Sequence, residues 1–270
     1  MLIGVAGWPV AHSRSPAMHN AAFAASGLDG WFYTRLPLPA ELFAETARAL
    51  PGSGYRGLNV TIPHKQAALA LADEVTPTAA AIGAANTLMF GPDGAIEAEN
   101  TDAQGFLDAV GEPLTGKSVL VLGAGGAARA AVWAAREGAA REVLVWNRTA
   151  ERARALAADF GAEAVARPRP VDVVVNATAV GLNGSLDDLP LAEAGDPELV
   201  ADLVYGPADP PVTAWARARG IRVTDGLEVL VRQGALGYIR WTGQDPPLDV
   251  MREAVRTPHT PTNVRVRFRR

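Results

Sequence analysis

One strand-to-helix junction near the middle of the chain constrains the fold more than any other feature. The apolar run Ser118–Leu122 predicts a buried strand, and Gly126–Glu137 predicts the helix that follows it. The junction between them contains the run Gly123-Ala124-Gly125-Gly126-Ala127-Ala128-Arg129. Glycines in this position let the backbone turn tightly and approach a pyrophosphate at the positive end of the helix dipole. A tight turn that binds no ligand is the alternative interpretation.

The end of the next predicted strand indicates which dinucleotide would bind. Sites for NAD place a carboxylate about 20 residues after the glycines, where it holds the ribose 2′-hydroxyl. Here the strand Glu142–Trp146 leads into Asn147-Arg148-Thr149, which has no carboxylate. An arginine and a hydroxyl suit a 2′-phosphate, and Arg152 follows one helical turn after Arg148. The sequence therefore predicts NADP, whereas the alternative is that Thr149 only caps a helix and the arginines are solvated.

Apolar runs alternate with Ala-rich helical stretches along the chain, which predicts the α/β class. After the glycine junction, strands at Val171–Asn176, Leu199–Leu203 and Ile221–Thr224 extend a Rossmann-type doubly wound sheet. The first third predicts parallel strands covered by helices on both faces, and its strands are expected at Leu2–Ala6, Trp31–Leu36, Gly57–Val60 and Thr87–Phe90.

Composition limits the possible partners. The 270 residues include no cysteine, which excludes disulfides, a cysteine nucleophile and thiolate metal sites. The formal net charge of −4 gives no general attraction to nucleic acid. No apolar run reaches the roughly 18 residues of a membrane-spanning helix, and no signal peptide is recognisable. We expect a cytoplasmic protein with no nucleic-acid or membrane partner, and a homodimer is the assembly considered.

The C-terminal residues differ from the rest of the chain in being rich in positive charge. A Thr/Pro stretch is followed by a basic run that ends in Arg269 and Arg270. Such a segment favours a flexible, solvated tail, here residues 256–270, and no function is assigned to it.

Three polar segments of the first half lie where predicted strands meet helices, and they are Gly7–Pro16, Asn59–Lys65 and Gly83–Leu88. In the first, Ser15 precedes a proline in a favoured first helical position, so helix capping is one interpretation of this serine. Ser13 is less easily explained by capping. In the second, Asn59 and Thr61 alternate along a strand end and would point into one cleft.

A lysine and an aspartate are the candidates for proton transfer. Pro63 suggests a helix start that puts Lys65 in the first turn, where the helix dipole favours the neutral amine. A solvated lysine is the alternative. Asp102 either caps the helix Ala103–Val110, orients Lys65, or binds a substrate hydroxyl. The histidines show no spacing typical of zinc, so no metal is predicted, and the polar groups suit a polyhydroxylated acid.

In their order along the chain, these motifs resemble the shikimate dehydrogenase family over residues 2–255. The matching segments begin with Gly7-x-Pro9-x-x-His12-Ser13-x-Ser15-Pro16-x-x-His19-Asn20, Asn59–Lys65, Gly83–Leu88 and Asn100-Thr101-Asp102. They continue with Gly123–Arg129, Asn147–Thr149, Asp202–Tyr205 and Gln233-Gly234-Ala235.

The resemblance implies reversible NADPH-dependent reduction of 3-dehydroshikimate to shikimate, a step of chorismate and aromatic amino-acid biosynthesis. It implies Lys65 and Asp102 as the catalytic pair. Residues implied to bind the substrate are Ser13, Ser15, Asn59, Thr61, Asn86, Tyr205 and Gln233. Residues implied to bind NADP are Gly123, Ala124, Gly125, Gly126, Ala127, Asn147, Arg148, Thr149, Arg152, Thr178 and Gly226.

The family fold implies a discontinuous substrate domain of residues 1–101 and 236–255, with residues 102–235 as the NADP-binding domain and a hinge between them. Two residues depart from the family pattern. Ala179 replaces a serine or proline, and Glu228 replaces a small residue, which is expected to bring a charge near the nicotinamide. A dehydrogenase of quinate or an amino-substituted shikimate is one alternative. A non-catalytic sensor of NADP or substrate is another, against which retention of the lysine–aspartate pair argues.

Overall fold

The structure is a computed structural model that describes residues 1–181, 185–206 and 209–257. The greater part of the predicted basic tail, residues 258–270, lies outside the described residues. Two six-stranded sheets follow one another along the chain. Within the described ranges, no helix is both long and apolar enough to cross a membrane.

The first sheet is built from residues 2–99. Its strands are β1 (Leu2–Gly7), β2 (Phe32–Pro37), β3 (Tyr55–Val60), β4 (Glu74–Val75), β5 (Thr87–Phe90) and β6 (Ile96–Glu99). The helices between them are α1 (Ser15–Ala25), α2 (Ala40–Ala49), α3 (Lys65–Leu71) and α4 (Pro77–Ile82). The strand order is β2-β1-β3-β5-β6-β4, and β1 is parallel to both of its neighbours.

The prediction of parallel strands is wrong for part of this sheet, because β5 is antiparallel to both β3 and β6. A five-residue turn joins β5 to β6, and Gly94 in it has a φ of 86°. Parallel neighbours need a crossover of about a dozen residues or more, so this connection can only be a hairpin. The sequence Ile96-Glu97-Ala98-Glu99 was not predicted as a strand, because its alternation of apolar and acidic residues covers only four positions.

The second sheet follows the predicted Rossmann pattern. Its elements are α5 (Asp102–Val110), β7 (Ser118–Leu122), α6 (Gly126–Glu137), β8 (Glu142–Trp146), α7 (Ala150–Phe160), β9 (Glu163–Ala164), β10 (Val173–Asn176), β11 (Leu199–Asp202), α8 (Pro211–Arg217) and β12 (Arg222–Thr224). The order β9-β8-β7-β10-β11-β12, parallel throughout, is the doubly wound order 3-2-1-4-5-6. The strand order reverses beside β7, which places a ligand crevice at the carboxyl ends of β7 and β10.

Two C-terminal helices, α9 (Gly226–Thr242) and α10 (Leu248–Arg256), lead back to the first sheet. Tyr238 and Trp241 of α9 are buried in one apolar cluster with Ile3 and Val5 of β1. Val231 belongs to the same cluster, although the predicted division puts residues up to 235 in the NADP-binding domain. The domain boundaries stay a prediction.

The two halves of the chain also meet where α5 crosses α9. A Cβ atom at Gly105 would lie 2.5 Å from the backbone nitrogen of Gln233, so only glycine allows this approach. The close crossing brings the first turn of α5 and the middle of α9 to one cavity.

The buried His19 of α1 is expected to make the stability of the fold depend on pH. Its ring is fully buried, stacks on Tyr33 at 4.5 Å between centroids, and meets Trp241 edge-on. Neither ring nitrogen has a hydrogen-bond partner among the described residues. Burial lowers the pKa of His19 from 6.5 to about 3. The neutral ring is therefore the folded form at every pH above that value.

Because the folded pKa lies below the unfolded one, His19 leaves stability unchanged above pH 6.5 and lowers it as the pH falls below 6.5. We expect the free energy of unfolding to lose about 2 kcal/mol from this residue between pH 7 and pH 5. Denaturant titrations at both pH values measure this loss. His19→Phe should remove it, whereas the control His12→Asn, which alters an exposed histidine whose pKa is also lowered, should remove a smaller share of the total loss. Equal losses in the wild type and in His19→Phe would contradict the prediction.

Candidate active site

A cavity of about 400 Å³ lies between the two sheets. The structure brings to its wall all nine residues predicted to be catalytic or substrate-binding, which are Ser13, Ser15, Asn59, Thr61, Lys65, Asn86, Asp102, Tyr205 and Gln233. They come from strand ends, helix starts and α9, so residues from both ends of the chain meet in one place. The structure thus brings these residues together in one cavity, and their catalytic and substrate-binding roles stay a prediction.

A lysine–aspartate pair stands at the centre of this cavity. Lys65 Nζ lies 2.5 Å from Asp102 Oδ2, and the two side chains are 12% and 18% exposed. Asp102 does not cap its helix, since α5 begins at Asp102 and the residue before it makes no side-chain cap. The backbone nitrogen of Asp102 instead donates to Asn100 Oδ1 at 3.0 Å. The carboxylate is thereby available to Lys65, and the capping interpretation of Asp102 is wrong.

Amide side chains hold the aspartate in place. Asn86 Nδ2 lies 2.9 Å from Asp102 Oδ1 and 3.1 Å from Gln233 Oε1, to both of which it donates. Asn86 Oδ1 accepts from the backbone nitrogen of Thr101 at 2.8 Å. Since the acceptor side of the amide is occupied by a backbone N–H, its donor side must face Asp102. Asp102 therefore has one oxygen towards Lys65 and the other towards Asn86.

Asn59 is oriented by a tyrosine that the sequence did not single out. Tyr33 Oη donates to Asn59 Oδ1 at 2.6 Å, and Asn59 Nδ2 donates to Thr87 Oγ1 at 3.0 Å. Tyr33 and Thr87 are fully buried or nearly so. No sequence signal marks Tyr33, because its role depends on the pairing of β2 with β1.

The serines and Tyr205 form one end of the cavity. Both Ser13 and Ser15 are buried, and Ser13 Oγ accepts from the backbone nitrogen of Ser15 at 3.3 Å. The helix α1 begins at Ser15 and shows no side-chain cap, so the capping interpretation of Ser15 is not supported. Burial raises the pKa of Tyr205 above its ordinary value, which keeps its phenol protonated and able to donate at neutral pH.

A second cavity of about 790 Å³ adjoins the first. It is lined by eight of the predicted cofactor residues, which are Gly123, Ala124, Gly125, Gly126, Asn147, Arg148, Arg152 and Thr178. Ala127 and Gly226 line the first cavity instead, and Thr149 lines neither but stands at the N-cap position of α7. Lys65 and Thr178 line both cavities, so the lysine of the pair lies at their junction, whereas Asp102 lines the first cavity alone.

The glycine turn has the backbone that a close approach requires. Gly123 has a φ of 116°, and a Cβ there would lie 2.8 Å from the carbonyl oxygen of Ala177. A Cβ at Gly126 would lie 2.9 Å from Lys65 Cβ. The N-terminus of the twelve-residue helix α6 therefore opens into the cavity directly beside Lys65, with its N–H groups available to an anion.

The far end of the second cavity is cationic. Arg148 and Arg152 are exposed, and among the described residues neither has a carboxylate partner within 4 Å. Asn147 Nδ2 donates to the carbonyl oxygen of Thr149 at 3.0 Å. Thr149 occupies the N-cap position of α7, but its side chain makes no capping bond. These residues fit a phosphate on the ribose and offer nothing to a 2′-hydroxyl that a carboxylate would bind.

The two departures from the family pattern differ in position. Ala179 lines both cavities. Glu228 lines neither, because its carboxylate accepts from Arg232 Nε at 2.8 Å and from Arg252 Nη2 at 3.0 Å. Gly226 and Gln233 face the cavity from α9, whereas Glu228 faces α10. The Glu228 carboxylate, which was expected beside the nicotinamide, therefore pairs with these two arginines outside both cavities.

No group of three or more acidic or histidine side chains able to hold a metal ion is present in the ranges that the structure describes. Two cavities joined at Lys65, one with polar side chains set among apolar ones and one with a glycine turn and two arginines, are what a dinucleotide-dependent reaction of a small polar molecule requires.

Comparison with known proteins agrees with this geometry. Family models match three segments, described as the shikimate dehydrogenase substrate binding domain (residues 5–88), shikimate / quinate 5-dehydrogenase (residues 107–180) and the shikimate 5′-dehydrogenase C-terminal domain (residues 226–256). The NADP(+) shikimate dehydrogenase of Paracoccus denitrificans is 46% identical over 92% of this chain and 93% of its own length. That of Methanothermobacter thermautotrophicus is 40% identical over 94% and 95%.

A solved structure is similar over nearly the whole chain. The crystal structure of shikimate 5-dehydrogenase from Thermus thermophilus, in complex with NADP(H) and shikimate, is 42% identical with a TM-score of 0.85. The match covers 95% of this chain and 98% of that one. Sequence, fold and site thus agree, and this chain belongs to the NADP-dependent shikimate dehydrogenase family.

Proposed function

We propose that this chain catalyses the reversible reduction of 3-dehydroshikimate to shikimate with NADPH. The observation that carries the proposal is the Lys65–Asp102 pair at the junction of the two cavities. A proton donor is needed where a ketone becomes an alcohol, and it must reach the carbonyl oxygen while the hydride source faces the carbonyl carbon. Lys65 lines both cavities, which supports this role for it.

The residues lining the second cavity fit NADP. Its pyrophosphate would lie on Gly123, Ala124, Gly125 and Gly126 at the start of α6, and its 2′-phosphate would contact Arg148 and Arg152. NADPH supplies the hydride, a group that no side chain of the protein can provide. Asn147, Thr149, Thr178, Ala127 and Gly226 stay predicted cofactor contacts.

Lys65 moves the proton in the proposed reaction. As hydride reaches the carbonyl carbon, the C=O double bond becomes a single bond and negative charge develops on its oxygen. Lys65 Nζ donates a proton to that oxygen, and it takes the proton back in the reverse direction. Asp102 holds Nζ in place through its Oδ2, while Asn86 fixes the other carboxylate oxygen.

Polar residues on both sides of this pair would bind the substrate. Ser13, Ser15 and Tyr205 lie together at one end, where hydroxyl donors suit a carboxylate. Asn59, Thr61, Asn86 and Gln233 suit the ring hydroxyls, because amides both donate and accept. The cytoplasm as location, a homodimer as assembly, and a hinge between residues 1–101 with 236–255 and residues 102–235 stay predictions from the sequence.

Initial rates of nicotinamide reduction test the proposal. Shikimate and quinate are each combined with NADP⁺ and with NAD⁺, and kcat/KM is measured for the four pairs. We expect turnover with shikimate and NADP⁺ to exceed the other pairs by about tenfold or more, as a lost charge-assisted contact costs about 1.5–3 kcal/mol. Preference for quinate would overturn the substrate assignment. Ligand binding without turnover for any pair would favour the sensor.

A further inference from the structure

Arg35 lies beneath the serine end of the substrate cavity. It belongs to β2 and pairs with Val5 of β1. Side chains two residues apart on a strand share a face, so Arg35 points to the same side as Tyr33, whose hydroxyl reaches Asn59 in the cavity wall. Arg35 Nε and Nη2 lie 3.1 Å and 2.5 Å from the carbonyl oxygen of Ser13, to which both donate. The guanidinium thus holds the loop that carries both serines.

The charge of Arg35 is not neutralised by the protein. Among the described residues, no carboxylate oxygen lies within 4 Å of its guanidinium, and its partner is a neutral carbonyl. The neighbouring Arg14 is similar, since its Nη1 donates to the carbonyl oxygens of Val255 at 2.7 Å and Thr257 at 3.2 Å. Several other arginines do have carboxylate partners, for example Arg48 with Asp73, whereas Arg148 and Arg152 of the second cavity have none among the described residues.

Two titratable groups at this end of the cavity respond to the positive charge. Partial burial lowers the pKa of His12, and Arg35 lowers it further. Burial raises the pKa of Tyr205, and Arg14 and Arg35 both oppose that rise. Each effect has the sign expected beside an uncompensated cation. A carboxylate desolvated at this end of the cavity would be stabilised by the positive electrostatic potential, whereas a neutral group of the same shape would not.

We propose that Arg35 is a specificity-determining residue that selects a substrate carrying a carboxylate. It acts in two ways, by fixing the Ser13 carbonyl so that the serine hydroxyls face the cavity, and by supplying a positive charge that the protein leaves unpaired. Arg14, the residue after Ser13 in the same loop, adds to this charge. The inference rests on the proposed function, because it extends the substrate site described there.

The test compares an anionic ligand with its neutral analogue. Shikimate and shikimate methyl ester are measured with NADP⁺ in the wild type, Arg35→Gln, Arg35→Lys and the control Arg56→Gln, which alters an exposed arginine of β3. We expect Arg35→Gln to raise KM for shikimate about tenfold or more, because the uncompensated charge near the carboxylate and the hold on the Ser13 carbonyl are both lost. KM for the ester should rise less, because the ester loses only the hold on Ser13, and kcat and KM for NADP⁺ should change less than about threefold.

A charge-conserving variant and a direct measurement of ligand binding complete the experiment. Arg35→Lys keeps the charge and should recover most of the preference for shikimate over the ester, even where the loop shifts slightly. Calorimetric Kd values for both ligands make the comparison independent of turnover. If the wild type bound shikimate in preference to the ester but did not turn it over, only the proposed function would be contradicted. An equal loss for both ligands in Arg35→Gln, or no loss for either, would overturn the inference.

Discussion

Replacement of Lys65 by alanine is expected to lower kcat by about 10²–10⁴-fold, the range for a positioned proton donor. The side chain reaches Asp102 at 2.5 Å and lines both cavities, so its loss removes the proton source at their junction. Binding of NADP⁺, measured by calorimetry, should change less than kcat, because the backbone N–H groups of α6 and the two arginines would still hold the pyrophosphate and the 2′-phosphate. Steady-state kcat with shikimate and NADP⁺ measures the effect.

The variant Lys65→Arg tests whether Lys65 acts by proton transfer or only by its positive charge. Arginine keeps a cation beside Asp102 but cannot release its proton near neutral pH, so we expect this variant to be nearly as slow as Lys65→Ala. Lys117→Ala is the matched control, since Lys65 and Lys117 are the two lysines among 25 basic residues and Lys117 pairs with Glu198 away from both cavities. Wild-type turnover in Lys65→Ala would rule out its proposed role, and high activity in Lys65→Arg would reduce that role to charge stabilisation.

The elements that the sequence predicted well depend on local patterns. The glycine turn after Ser118–Leu122 was predicted because a buried run, a cluster of glycines and a helix directly follow one another along the chain. The same holds for the doubly wound order, since helices follow β7, β8 and β11 along the chain. The hairpin of β5 and β6 was missed because the alternating pattern of Ile96–Glu99 is only four residues long, which is too short to distinguish a strand from a loop.

The parts of the site that the sequence could not predict depend on contacts between distant residues. The interpretation of Asp102 as a cap is reasonable locally, and it fails because Lys65 and Asn86 approach from other elements. Glu228 was expected near the nicotinamide from its place in a motif, yet Arg252 of α10 binds its carboxylate. Arg35 belongs to no motif, and its importance depends on where β2 runs beneath the Ser13 loop.

The cofactor preference gives the second large effect. Combined replacement of Arg148 and Arg152 by glutamine should raise KM for NADP⁺ by about 10- to 150-fold, corresponding to about 1.5–3 kcal/mol for charge-assisted hydrogen bonds. Both arginines line the second cavity, and no carboxylate within 4 Å in the described part of the chain neutralises them. Since NAD⁺ has no 2′-phosphate, its KM should change less than about threefold. Initial rates with each cofactor at saturating shikimate measure the two values.

Arg154→Gln is the control on the same helix, because Arg154 is exposed but paired with Glu151 and lines neither cavity. It separates the loss of a specific phosphate contact from a general loss of positive charge around α7, which would act on both dinucleotides through their shared pyrophosphate. If the double variant raised KM for NAD⁺ and NADP⁺ equally, the arginines would contribute only that general attraction. Selectivity for NADP would then have to come from Asn147 and Thr149, the remaining polar residues at the end of β8. A rise in KM for NADP⁺ alone, which is the result that we expect, would instead assign the selectivity for NADP to the two guanidinium groups.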